Sequence, residues 1–142
     1  MNSDLLERLE TRAHHVTGAE PWERNDHDPR VATSVNNAKA FLEKIGSALR
    51  EPSITGGTTA NPGTIVTVYW IVQNINKIFG VYVSFKDDDT CRLEVSGPGM
   101  SSFAVDNLSL DELLNYDVPY QFHKIESKAR QAGGDLHKPG LS

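Results

Sequence analysis

From Val31 onward, apolar residues return at alternating intervals of four and three: Val31, Val35, Ala38, Leu42, Ile45 and Leu49. That period draws one stripe along a helix, and Pro52 ends it. Asp28-Pro29 supplies the start, because an aspartate accepts free amide hydrogens of the first turn and proline at the first helical position gives up no hydrogen bond. A shorter helix is predicted upstream, where Leu5, Leu6, Leu9, Ala13 and Val16 share a face, Asn2 or Ser3 caps the start and Gly18 stands at the end. Residues 19–28 between them have no period and read as a loop anchored by Trp22.

The pattern changes after residues 53–63, a Gly- and Thr-rich stretch read as a flexible connection. Residues 64–72 are dense in β-branched and aromatic side chains with apolar groups on both alternating sets, as in a strand buried on both faces. Val68, Ile71, Ile75 and Ile78 also fit a helical period, so residues 64–79 admit either reading. Residues 78–85 place Val81, Val83 and Phe85 on one face, and 86–90 make a turn. Cys91, Leu93 and Val95 then alternate with Arg92, Glu94 and Ser96, which completes a hairpin. Gly97-Pro98-Gly99 breaks it, and residues 101–105 form a short fourth strand.

Ser109-Leu110-Asp111-Glu112 is a capping box, in which serine and glutamate satisfy each other's backbone amides. A last helix starts at Pro119, buries Phe122, Ile125 and Ala129, and stops at Gly133-Gly134, leaving 135–142 as a tail. The expected fold is therefore one α+β domain over residues 1–134: two N-terminal helices, a three- to four-stranded, mainly antiparallel sheet, and one or two C-terminal helices.

A chain of 142 residues, 38% hydrophobic and 23% charged, suits one soluble domain and can build a core without a metal or disulfide. Cys91 is the single cysteine, which fits a reducing compartment; with no secretory signal in the first residues, the expected location is the cytoplasm. It alternates with core positions and reads as an inert thiol. The net charge of −5 argues against binding a phosphate backbone. Its distribution is uneven: residues 87–117 hold eight acids against Arg92 alone, whereas 118–142 carry a small basic excess.

Most chemical motifs fail on spacing. Asp87-Asp88-Asp89 lacks the glycine and glutamate of a calcium loop, since Arg92 and Pro98 stand at those positions. The glycine-rich segments 57–64 and 96–101 match neither a phosphate loop nor a nucleophile elbow. Ser101 or Ser102 with His123 has no local signature. Tyr116, Tyr120, Phe122 and His123 beside Lys124 and Lys128 could stack nucleic-acid bases, but helix packing explains them more simply in so acidic a chain. His14, His15 and His27-Asp28 resemble the His-Asp dyad of metal-dependent phosphohydrolases. That resemblance implies a hydrolase using His27 and Asp28, in an all-helical fold that the β-rich half here does not match.

The acidic block is what these chemistries leave over. Asp87, Asp88, Asp89, Glu94, Asp106 and Asp111 on a rigid scaffold would attract a basic protein surface, with Trp22 or Tyr116 as aromatic anchor. The expectation is a non-catalytic binding module of inhibitor, immunity or adaptor type, with no cofactor, no metal and no membrane contact. The alternatives are the metal-dependent hydrolase and a structural homodimer paired through the 29–50 helix.

Overall fold

A computed structural model describes residues 29–56 and 63–137. Helix α1 (Pro29–Ile45) starts at the proline that its sequence marks. It ends four residues short of Leu49, because Gly46 takes a left-handed conformation (φ +54°) and leads into a 3₁₀ turn, Gly46–Ala48. The stripe survives: Val31, Val35, Ala38 and Leu42 are buried, joined by Phe41, while Ile45 and Leu49 pack at its edge. The predicted first helix, Trp22 and His14, His15, His27 and Asp28 lie outside the described residues.

Five strands follow, β1 (Ser53–Gly56), β2 (Thr64–Asn74), β3 (Lys77–Lys86), β4 (Cys91–Ser96) and β5 (Phe103–Leu108), in an antiparallel meander of order β1-β2-β3-β4-β5. The class is α+β, with one strand more than the upper expectation. The extra strand, β1, opens the stretch read as a connection: Ile54 is buried opposite Val68, so this short segment earns its place by one side chain that sequence periodicity cannot detect. Residues 64–74 are strand, not helix, pairing from Asn74↔Lys77 back to Thr64↔Lys86. The competing helical period breaks at a two-residue turn, with Ile75 in the turn and Ile78 near the start of β3 both exposed rather than buried. The fourth predicted strand, 101–105, lies two residues later in the structure.

Among the described residues, the deeply buried side chains of the central strands lie mainly on one face of this sheet. Val66, Val68 and Trp70, Phe79 through Phe85 at alternate positions, and Cys91, Leu93 and Val95 form one core with the helices. Phe41 of α1 sits between Trp70 and Phe85, with ring centroids 6.4 and 5.9 Å away. The second alternating set of β2, Thr67, Tyr69 and Ile71, is only half-buried, which corrects the expectation of a strand covered on both sides. Helices α2 (Leu110–Asn115) and α3 (Val118–His137) complete the covering layer: α3 packs on β2 and β3 beside α1, and α2 on β4 and β5. Both halves of the capping box at Ser109 and Glu112 are formed, and Val118, Phe122, Ile125 and Ala129 face the sheet. Gly133-Gly134 does not stop α3, which continues to His137.

Two polar brackets hold the layers in register. The Arg50 carbonyl accepts the Trp70 indole N–H at 2.8 Å, while its guanidinium donates to the Ile71 carbonyl and lies 5.3 Å from the Phe122 ring centroid. Asn74 donates to the Ala129 carbonyl at 2.6 Å, tying the far end of β2 to α3. Both satisfy polar groups at the margin of an apolar layer, where an unpaired one is costly.

Candidate functional site

The meander sends β1, β3 and β5 toward one end of the sheet. The β3–β4 turn, the end of β5 and the first turn of α2 therefore meet there, since Phe85 and Leu108 both pair with Cys91. Asp87, Asp88, Asp89, Asp106 and Asp111 are thus gathered at a single end. Glu94 lies further along β4, directly opposite Tyr82 on the face that no described helix covers.

These carboxylates are not equally available. Arg92 bridges Glu94 (3.3 Å) and Asp106 (3.4 Å), and Lys86 reaches Asp106 at 3.5 Å. The chain's own cations therefore balance the two acids that project from the sheet face. At the turn the partners are neutral: Asp88 accepts from the Thr90 amide and hydroxyl at 3.1 and 2.5 Å, and Asp89 accepts from Asn37 of α1 at 2.6 Å. The Thr90 hydroxyl is the main reason that the Asp88 carboxyl titrates below its ordinary value, with Lys86 adding a smaller pull the same way. Asp89 adopts φ +68°, a left-handed conformation that aspartate tolerates, and the Lys86 amide closes the turn on the Thr90 carbonyl at 2.9 Å. Asp88 and Asp89 are thus ordered by neutral donors. Asp111 is exposed in the first turn of α2, where a carboxylate also favours the helix dipole.

Tyr116 is half-buried against the core at the C-terminal cap of α2. Two other aromatics occupy the face that no described helix covers. Tyr69 and Tyr82 are a directly opposed cross-strand pair, stacked with centroids 5.7 Å apart and planes 24° from parallel. Beside them, the hydroxyls of Thr67 and Ser84 hydrogen-bond at 2.9 Å. The Tyr82 ring lies along its own strand over Gly80: a Cβ at that glycine would stand 2.6 Å from the ring and its hydroxyl. Burial raises the Tyr82 phenol above its ordinary pKa, and Glu94 and Tyr69 push it the same way. Sequence alternation puts Tyr69 with Thr67 and Tyr82 with Ser84 on the sets opposite Val68 and Trp70 and opposite Val81 and Val83.

Elsewhere the chemistry is thin. Cys91 is fully buried, and its thiol is pushed up to about 12 by desolvation, with Asp89 and Asp88 adding to the effect. It is a packing residue, as the alternation implied. A groove of about 520 Å³ opens between the end of α1 and the α2–α3 junction, over Phe41, Ile45, Leu114 and Val118, with Lys44 and Asp117 beside them. Among the described residues no group of three or more His, Cys, Asp or Glu is placed to hold a metal ion, and no helix is long and apolar enough to cross a membrane. The apolar stripe of α1 packs on this chain's own sheet.

Comparison with protein-family models, curated proteins and solved structures finds no match for this chain.

Proposed function

We propose that this protein is a non-catalytic binding module that receives a basic surface of another protein at the acidic end of its sheet. The observation that carries the reading is the convergence of Asp87, Asp88 and Asp89 with Asp106 and Asp111 at one end of a rigid meander, where Asp88 and Asp89 are held by the neutral donors Thr90 and Asn37. Such a field speeds encounter with a positive partner and disfavours polyphosphate. Prior ordering of the turn by Thr90 and Asn37 lowers the conformational cost of docking. An inhibitor, immunity or adaptor role in the cytoplasm is the specific form proposed, in keeping with a single cysteine kept as a buried thiol.

The test is affinity capture from the native host with wild-type bait and with Asp87→Asn/Asp88→Asn/Asp89→Asn, which removes charge while keeping side chains that suit the turn. A basic protein retained by wild type and lost with the variant is the expected result. Equal retention by both baits contradicts the proposal.

A further inference from the structure

We infer that Tyr69 and Tyr82 form an anchor for an arginine side chain of that basic partner, which names the recognition chemistry of the face adjoining the acidic turn and rests on the reading above. Three observations converge. The rings are stacked on each other at the centre of the sheet face that no described helix covers, and both stay partly accessible. Gly80 makes room for the Tyr82 ring, so its position is built into the strand and is not one of several loose rotamers. Glu94 stands opposite Tyr82 on β4, and from it a line of charges, Glu94, Arg92, Asp106 and Lys86, leads to the turn of Asp87–Asp89.

Charge complementarity selects the occupant. Among the described residues, Arg92 and Lys86 balance Glu94 and Asp106 on this face, so the negative charge that draws a cation toward it is that of Asp87, Asp88 and Asp89 at its end. Arg92 already rests between Glu94 and Asp106, and a planar guanidinium is therefore a shape this face accommodates. A guanidinium also stacks on aromatic faces and forks to a carboxylate, whereas an ammonium does neither as well. An arginine laid over the tyrosines would stack on their rings and share the Glu94 carboxylate with Arg92.

The experiment titrates ¹⁵N-labelled protein with a short Arg-Gly repeat peptide and, separately, a Lys-Gly repeat. Saturable shifts at the amides of Tyr69, Gly80, Tyr82 and Glu94, with tighter binding of the arginine peptide, are expected. Tyr82→Leu should weaken that binding roughly tenfold, whereas Tyr82→Phe, which keeps the ring, should preserve it. Gly80→Ala displaces the ring without altering charge, and should weaken binding to a similar degree. If the leucine and alanine variants bind like wild type while the triple Asp→Asn variant does not, the aromatic anchor is wrong and the acidic docking end stands. If no substitution changes binding, both fall. Shifts at the tyrosines that track protein concentration without peptide, with a dimer in sedimentation, would assign the face to a second copy and overturn the inference.

Discussion

The two faces of this sheet come from the same five strands and obey different rules. On the covered face Val66, Val68 and Trp70, Phe79, Val81, Val83 and Phe85, and Cys91, Leu93 and Val95 are buried, and Phe41, Trp70 and Phe85 interlock there. On the other, Thr67, Tyr69, Ser84, Arg92 and Glu94 are half-buried, and their contacts are hydroxyl pairs, ring stacking and ion pairs. Burial decides residue identity on the first face. On the second it leaves room for polar and aromatic side chains, which the proposed binding would use. Stability and binding should therefore respond to different substitutions.

The largest effect belongs to the covered face. Phe41→Ala removes the ring between Trp70 and Phe85 and should cost about 3–5 kcal/mol in urea unfolding, given the cavity it leaves. A loss below about 1 kcal/mol would mean that α1 is not seated on the sheet as described.

Alkaline pH probes the same face through Cys91. Its folded thiol titrates near 12 against an ordinary 9, so the folded state holds the proton more tightly than the unfolded one. The corresponding stability is fully present below pH 9 and is lost as pH rises toward 12, by up to roughly 4 kcal/mol at about 1.4 per unit. Tyr82, also raised, adds a loss of the same sign above its ordinary value of 10. Cys91→Ala should flatten the pH dependence of the urea midpoint across this window. An unchanged slope would refute the buried-thiol account, as would rapid labelling of the native thiol at neutral pH.

Smaller effects are expected where the sheet meets solvent. Ile75 holds φ +60° at the first central position of the β2–β3 turn, a conformation costly for a β-branched residue and natural to glycine, and its side chain is 58% exposed. Ile75→Gly should raise stability by about 1 kcal/mol, read from the thermal midpoint. Thr67→Ala, which breaks the hydroxyl pair with Ser84, should change stability by less than about 1 kcal/mol. A loss as large as that of Phe41→Ala would erase the distinction between the faces.

Periodicity made the covered face legible: the stripe from Val31 to Leu42, the alternation of Cys91, Leu93 and Val95, and the capping box at Ser109 all follow from local spacing. Features set by tertiary contact were not legible. Four-residue β1 depends on Ile54 meeting Val68, and the end of α1 depends on the left-handed Gly46. At the site, the run Asp87–Asp89 was plain in the sequence. The bridging of Glu94 and Asp106 by Arg92 was not, because it joins β4 to β5 across a register shift. Nor was the Tyr69–Tyr82 stack, since opposed positions are known only once the hairpin register is set by the turn at Ile75 and Asn76.

The central claim, that the acidic turn binds and the helix-covered face stabilises, is tested most directly by calorimetric titration of the Arg-Gly peptide into wild type and the Asp87→Asn/Asp88→Asn/Asp89→Asn variant, after confirming that both share a urea midpoint. Affinity reduced at least about tenfold for the variant at equal stability is the expected outcome. Equal affinity for the two proteins would contradict it.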